Sequence, residues 1–329
     1  MDEIKVSVYC LAYNHEKFIR KTLDGFVNQI TNFNYEVIVH DDASMDGTAQ
    51  IIKEYEEKYP KIIKGIYQKE NQYSQKIKIF DKYIYPLISG KYIAMCEGDD
   101  YWTNNNKLQL QYDSLENNTD CSFCVHKTQK ITEDDVLLNS FFPDIEIAEG
   151  VISSQRYVEL ELTKKPWLFQ TSSYFFRKSV IEEFMKSPYR PLYPMGDLPM
   201  VLTGILNGNC YYINQNMSCY RINNNSTIGK LTKDNTKGIQ FSKRTIEGHK
   251  EFNKYSNRRF SEYIEYSILN QEIQILKQEG RYREILATKY RPVLNDLNLK
   301  NKSLIFVGSI LPGVAYMLFN WARSKGRKM

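Results

Sequence analysis

The sequence predicts an α/β fold: a Rossmann-like open mixed sheet flanked by helices, with a helical C-terminal extension. Three observations predict it. Continuous apolar runs alternate with helix-period segments over roughly the first hundred residues. The turns that follow two of those runs are densely acidic. After about Thr236 the pattern becomes helical and charged, up to Asn295.

The elements follow in order. Residues 4–13 are a continuous apolar run, the mark of a strand covered on both faces. Residues 16–30 place Phe18, Ile19, Leu23, Phe26 and Val27 at helical spacing. Residues 35–40 give a second strand. Thr48 reads as the N-cap of a helix running to about Lys58, with Ile51, Ile52 and Tyr55 on one side. Residues 61–68 give a third strand, 74–88 a helix ended by Gly90, and 92–96 a fourth strand. In the second half, strand-like pieces at 121–127, 170–177, 209–214 and 217–222 mix with helices near 178–186 and 198–206.

The 329 residues are 42% hydrophobic and 25% charged, which suits a globular chain with a sizeable core. The net charge of +5 is mild, and no basic stripe precedes the last few residues, which argues against a nucleic-acid partner. The 25 Tyr reflect coding bias more than groove lining. Cys10 and Cys96 fall in buried strands. Cys121 and Cys124 form a C-x-x-C with no second pair at zinc spacing, so they read as core thiols. The start leads straight into a strand with no secretory signal, so a cytoplasmic, reducing location is expected. Residues 304–320 are apolar, and Arg323, Lys325, Arg327 and Lys328 follow. Pro312-Gly313 interrupts this stretch, and it is short for a bilayer of about 30 Å. Peripheral contact at 304–329 with an anionic membrane face is expected; the alternative is a buried helical hairpin with a solvated tail.

In an open sheet, ligands bind beyond the carboxyl ends of the strands. The first strand leads into Leu11-Ala12-Tyr13-Asn14-His15. The second leads into Asp41-Asp42-Ala43-Ser44-Met45-Asp46-Gly47-Thr48, and the fourth into Glu97-Gly98-Asp99-Asp100-Tyr101-Trp102. Carboxylates brought side by side repel one another, and a divalent cation relieves that. Hard oxygen ligands suit Mg²⁺ or Mn²⁺ bridged to substrate phosphates. No G-x-G-x-x-G and no P-loop is present to cradle phosphates. Either acidic stretch alone also reads as a solvated turn. Glu97–Asp100, however, is squeezed between an apolar strand and Tyr101-Trp102, an odd place for a surface loop.

At these residues the sequence resembles the family 2 glycosyltransferases of the GT-A fold. Three patterns carry the resemblance: Val6-Ser7-Val8 through Ala12-Tyr13-Asn14, then Val39-His40-Asp41-Asp42 through Gly47-Thr48, then Glu97 through Trp102. It covers about residues 4–115 firmly and extends to about 225. It implies that the chain near Leu11, Ala12, Tyr13 and Asn14, with the Asp42 carboxylate, binds the nucleotide base of a UDP-sugar donor. Asp99 and Asp100 match the acidic metal motif for Mn²⁺ or Mg²⁺. One ligates directly, with Asp100 favoured, and the other contacts ribose or supports the ligand. Glu97 stands where relatives often carry Asp. Asp197, in Met195-Gly196-Asp197-Leu198-Pro199, is the implied general base, although Gly196 replaces the usual first acid of a pair. Asp197 also reads as a simple helix cap. Arg221, before Asn223-Asn224-Asn225-Ser226, matches a late loop that closes over the diphosphate and would pair with phosphate oxygens; its alternative is a surface salt bridge.

The resemblance implies a GT-A catalytic domain over 1–230, split into a nucleotide-sugar half (1–118) and an acceptor half (119–230), and a helical region over 231–329. It implies an inverting transfer of one sugar to a glycan or polyprenyl-diphosphate-linked acceptor, in bacterial capsule or lipopolysaccharide synthesis at the cytoplasmic face of the inner membrane. The Q-x-x-R-W motif of processive relatives is absent. A sugar nucleotidyltransferase is the alternative enzyme, but residues 11–18 lack the glycine-rich loop it needs. A catalytically inactive carbohydrate-binding protein is the alternative outside enzymes.

Overall fold

The computed structural model describes residues 3–164, 167–223, 234–315 and 317. The chain divides into two compact units.

The first unit comprises Met1–Tyr157, Trp167–Lys186 and Met200–Ile222. Its strands are β1 (Ile4–Ala12), β2 (Asn34–Asp41), β3 (Ile63–Tyr67), β4 (Tyr92–Met95), β5 (Tyr101–Trp102), β6 (Cys121–Ile131), β7 (Leu137–Phe142), β8 (Gly150–Ile152), β9 (Phe175–Arg177) and β10 (Asn209–Arg221). Among the described residues they form one sheet in the order β3-β2-β1-β4-β9-β6-β10-β5, with β7 on β6 and β8 on β10. β1 to β4 are parallel. β9 runs against both β4 and β6, and β6 and β10 are parallel to each other. The sheet is therefore open and mixed, as expected, and continues from the first half of the chain into the second.

Helices α1 (Ile19–Val27), α2 (Thr48–Lys58) and α3 (Lys107–Asn117) cover one face. Val6, Val8, Cys10, Val37 and Val39 point into that layer and meet Leu23, Phe26, Ile52 and Leu108. On the other face Tyr9 packs on Phe80, with ring centroids 5.1 Å apart. The central strands thus bury both faces, which is why they read as unbroken apolar runs. All six cysteines are buried free thiols.

Four local expectations are corrected. Thr48 is the first residue of α2 rather than its cap; Asp46 Oδ1 accepts from Thr48 N at 3.0 Å. Residues 74–88 do not form a single helix. A π-turn spans Phe80–Ile84 and a 3₁₀ turn Tyr85–Leu87, while Lys76 adopts φ 60°. The reason lies in the preceding turn, where Asp42 and Asn71 capture the N–H groups of Gln72, Tyr73 and Ser74. In the 170–177 stretch only Phe175–Arg177 is strand, after a 3₁₀ turn at Thr171–Ser173. The pieces at 209–214 and 217–222 are one strand, β10, whose register against β6 shifts between Ile213 and Asn216. That irregularity interrupts the side-chain alternation that marks a strand.

The second unit comprises Val158–Pro166, Ser187–Pro199 and Asn223–Met329. Besides α4 (Ser154–Glu159) and α5 (Lys178–Lys186), the chain carries α6 (Asp197–Asn207), whose first three residues belong to this unit. Then come α7 (Asn235–Tyr255), α8 (Ser261–Gln278), α9 (Tyr282–Ile285), α10 (Arg291–Asp296) and α11 (Leu299–Ile310). The unit is helical, as the charged pattern predicts. It has a core of its own around Ile273, Tyr282, Ile285, Val293 and Ile305. The expected boundary at 230, the late-loop residues Asn224, Asn225 and Ser226, and the basic tail from Arg323 to Lys328 lie outside the described residues.

Candidate donor and metal site

The three expected tips meet at the carboxyl ends of β1, β2 and β4. Leu11 O accepts from Gly98 N at 2.9 Å, and Ala12 O accepts from Asp42 N at 2.9 Å. The first tip is thus the hub that joins the two acidic ones, and the carbonyls of Leu11 and Ala12 are taken by that assembly. Tyr13 is 41% exposed. Asn14 adopts φ 55°, donates from its main chain to Ser44 Oγ and accepts at Oδ1 from Met45 N. Asn tolerates this left-handed conformation better than most residues.

Asp42 is 4% exposed. Its Oδ1 accepts from Gln72 N at 2.7 Å and its Oδ2 from Tyr73 N at 3.0 Å. Asp42 therefore pins the 71–73 turn against the tip of β2. Each of its oxygens keeps one further lone pair for a ligand donor. Asp41 accepts from Ser44 N through Oδ2, while its buried Oδ1 has no hydrogen-bond partner among the described residues. Burial pushes the Asp46 carboxyl up, but bonds from Thr48 and from Glu16 N outweigh it and hold the group below its usual range.

The β4 tip holds the two acids of the expected metal motif in different settings. Asp100 is 2% exposed, and its Oδ1 accepts from Arg221 N at 2.8 Å. Burial, then the neighbouring Asp99 charge, pushes the Asp100 carboxyl well up; the Arg221 N–H and Gln170 oppose this. Thr22 Oγ1 sits beneath the turn, 2.6 Å from Asp100 O and 3.1 Å from Gly98 O. Asp99 is half-buried, and its carboxylate makes no hydrogen bond or ion pair to a described residue, while its carbonyl accepts from Arg221 Nε at 2.9 Å. The two carboxylates of the turn thus differ: Asp100 is buried and bonded to Arg221 N, whereas Asp99 is half-buried. Glu97 is half-buried in the same turn, and its carbonyl accepts from Asp100 N.

Among the described residues no three His, Cys, Asp or Glu side chains converge as a ready-made metal cage. Mg²⁺-type ions bound through one or two carboxylates and substrate phosphates need none. A buried, charge-crowded Asp100 beside an Asp99 carboxylate that has no partner among the described residues fits such an ion.

Tyr101 and Trp102 are not part of a solvated loop. They form β5, pairing with Cys219 and Ser218 of β10. Trp102 is 4% exposed, packs edge-on against Phe26 and donates from Nε1 to Ser172 O. This short strand anchors the acidic turn to the far side of the sheet.

Arg221 takes a different place from the one expected. It is 2% exposed. Its guanidinium donates to Asp99 O, Thr132 O, Glu133 O and Asp135 Oδ1, and lies 4.3 Å over the Phe18 ring. Four acceptors and a ring face turn it inward, so that it braces the acidic turn. Its ion pair with Asp135, whose carboxylate is 43% exposed, is the one contact of the group that reaches the surface among the described residues.

His15, Thr22 and Asp135 belong to this constellation without having been assigned a role from sequence. His15 donates from its main chain to Thr48 Oγ1, and its Nδ1 has no hydrogen-bond partner among the described residues. Its position directly after Tyr13-Asn14 is the one signal that pointed to it. Thr22 lies within a helix and Asp135 in a turn, and neither stands out in the chain. Asp197 opens α6 with Pro199 two positions on and belongs to the second unit. A carboxylate there also suits the positive end of the helix dipole.

Comparison with known proteins bears on the family and the fold. The profile described as Glycosyl transferase family 2 matches residues 7–184. An uncharacterized protein of Mycobacterium tuberculosis is 34% identical over 173 residues, covering 53% of this chain and 47% of that protein. The putative teichuronic acid biosynthesis glycosyltransferase TuaG of Bacillus subtilis is 27% identical over 154 residues, 41% of this chain and 58% of that protein. The Escherichia coli UDP-Glc:alpha-D-GlcNAc-diphosphoundecaprenol beta-1,3-glucosyltransferase WfaP is 29% identical over 147 residues, 45% of this chain and 55% of that protein. The chain spans about half the length of the curated relatives it matches. Among solved structures, S. aureus TarS 1-349 in complex with UDP-GlcNAc superposes with TM-score 0.55 at 15% identity, over 98% of this chain and 93% of that one. A Pyrobaculum calidifontis mannosyltransferase in complex with GDP-Man and Mn²⁺ gives TM-score 0.53 at 11% identity, over 97% and 87%. At such identities these two show the fold alone. The family profile covers more than half of the sequence, and the chain belongs to glycosyl transferase family 2.

Proposed function

We propose that this chain transfers one sugar from a UDP-sugar to a hydroxyl of a glycan or lipid-linked acceptor, with inversion, in the synthesis of a bacterial surface polysaccharide. The observation that carries the reading is the Asp99 carboxylate, without a partner among the described residues, on a turn braced by Arg221 and set beside the tips of β1 and β2. Tyr13, Asn14 and Asp42 line the side that would take the base, and Glu97 lies in the same turn as the metal motif. Asp99 would hold Mn²⁺ or Mg²⁺ together with the donor phosphates, and the ion would supply Lewis-acid stabilisation of the charge on the departing diphosphate.

Asp197 removes the proton from the acceptor hydroxyl. The acceptor oxygen bonds to the anomeric carbon as the bond to the diphosphate oxygen breaks, and UDP leaves with that electron pair. One displacement inverts the centre. WfaP is named for a diphosphoundecaprenol-linked acceptor and TuaG for teichuronic acid. By that analogy the acceptor here is polyprenyl-linked and met at the cytoplasmic face of the inner membrane.

Thermal shift of the purified chain with Mn²⁺ across nucleoside diphosphates tests the donor site. A shift with UDP that needs the metal and vanishes in Asp99→Asn supports it. No shift with any nucleotide at saturating metal overturns it in favour of a binding protein without transferase chemistry. Asp197→Asn should keep the shift and lose turnover by about 10²- to 10⁴-fold; an active Asp197→Asn variant removes that residue from the mechanism.

A further inference from the structure

The end of the second unit carries an apolar face that no described residue covers. Ile305, Gly308 and Ala315 turn inward, and α11 approaches Tyr282 so closely that a Cβ on Gly308 would lie 2.4 Å from the Tyr282 ring. Tyr282 donates from its hydroxyl to Ala315 O. On the opposite side Phe306 is 62% exposed, Ile310 57%, Leu311 55% and Met317 64%, with Val307 and Val314 beside them. Within α11, Phe306 and Ile310 recur at helical spacing with Val307 alongside; the helix ends at Ile310, and Leu311, Val314 and Met317 extend the exposed apolar run beyond it. An exposed apolar run of this extent on a folded unit marks an interaction surface.

The charge around it selects the partner. From Leu297 to Met329 the sequence contains no Asp or Glu, but it contains Lys300, Lys302, Arg323, Lys325, Arg327 and Lys328. Lys300 and Lys302 are exposed at the start of α11. A second copy of the chain would bring an equally basic rim against this one and be repelled. An anionic surface is attracted.

We propose that this face docks on an anionic lipid bilayer, with Phe306, Ile310, Leu311, Val314 and Met317 in the headgroup boundary and Lys300 and Lys302 against lipid phosphates. The helix lies along the surface. α11 has 12 residues, about 18 Å at 1.5 Å per residue, against a hydrocarbon layer of about 30 Å. No helix among the described residues is long and apolar enough to cross a membrane. This deepens the reading of a membrane-borne acceptor and rests on it for its purpose, but the surface stands on its own exposure and charge.

The test is flotation of the full chain, without nucleotide, with vesicles of phosphatidylcholine alone and of phosphatidylcholine mixed equally with phosphatidylglycerol. Binding should require the anionic lipid and weaken at least tenfold between low and high salt. The triple variant Phe306→Ser, Ile310→Ser, Val314→Ser alters exposed positions and should lose binding at least tenfold. Circular dichroism confirms that it folds, and the metal-dependent nucleotide shift is read separately. Failure to bind anionic vesicles, or unchanged binding by the triple variant, overturns the proposal and leaves the donor-site reading intact. A dimer in gel filtration that the triple variant disperses overturns it in favour of a second copy.

Discussion

The main-chain N–H of Arg221 donates to Oδ1 of Asp100 across 2.8 Å, tying the last residue of β10 to the acidic turn after β4. The same residue reaches round to Asp99 O through Nε, so both acids of the turn are held by one side of Arg221. Its guanidinium continues outward to Asp135 in the β6–β7 turn. The turn is thereby ordered before any ligand arrives, which lowers what binding must organise.

If bracing is the role, Arg221→Gln destabilises the protein itself. The substitution leaves Asp99 O, Thr132 O and Glu133 O short of a donor at partly buried positions, at a cost of about 1–3 kcal/mol. Asp135→Asn removes only the outer contact, at a carboxylate that is 43% exposed, and should cost less than about 1 kcal/mol. Urea unfolding without ligand measures both. A phosphate-binding Arg221 gives the opposite result, with unfolding unchanged in Arg221→Gln and nucleotide binding alone weakened.

Asp42 connects the tip of β2 to the turn that replaces the expected helix. Its two bonds to Gln72 N and Tyr73 N are charge-assisted, and such bonds contribute about 1.5–3 kcal/mol each. Asp42→Ala should free the turn. The donor KM should rise about 10- to 100-fold with kcat changed little, and trypsin should cut faster at Lys69, Lys76 or Lys78. Unchanged proteolysis would show that the turn is held by other contacts.

The contrast between these residues shows what the sequence could reveal. Val6, Val8, Val37 and Val39 were legible because burial on both faces leaves an unbroken apolar run. The acidic tips were legible because their residue types cluster directly after such runs. The helix expected at 74–88 was not, because the acceptor that breaks it, Asp42, comes from 30 positions earlier. Arg221 reads as a free cation until the fold supplies Asp100, 121 positions away.

Gly98 is the position in the acidic turn where size is least tolerated. A Cβ there would lie 2.7 Å from His15 Nδ1, 3.1 Å from Ile19 Cδ1 and 3.2 Å from Ala12 Cβ. Gly98→Ala should destabilise the protein by about 1–3 kcal/mol, as overpacking does. His15→Ala opens the closest of these contacts, so the double variant should recover about 1 kcal/mol of coupling in a double-mutant cycle. Purely additive losses would mean that His15 is not what limits the space at Gly98.

His249 supplies a pH dependence located in the second unit. It is fully buried, with Nδ1 2.8 Å from Tyr193 OH and Nε2 2.9 Å from Ser267 Oγ. Burial lowers its pKa to about 3. In the unfolded chain a histidine titrates near 6.5. Below pH 6.5 the unfolded state therefore binds a proton that the folded state refuses, and stability falls as pH falls, until the folded group itself titrates near 3. The slope from this residue approaches about 1.36 kcal/mol per pH unit. His249→Gln removes the titrating group while keeping a donor and an acceptor. At pH 7.5 the variant should be the less stable protein, because the amide replaces a ring fitted between two hydroxyls. By pH 5 wild type should have lost about 2 kcal/mol more than the variant, through the linkage at 6.5 alone. Urea unfolding of both proteins from pH 7.5 to 5 reads the difference directly. A gap that stays constant over that range means that His249 is not held neutral, and that the two hydroxyls accept a charged ring.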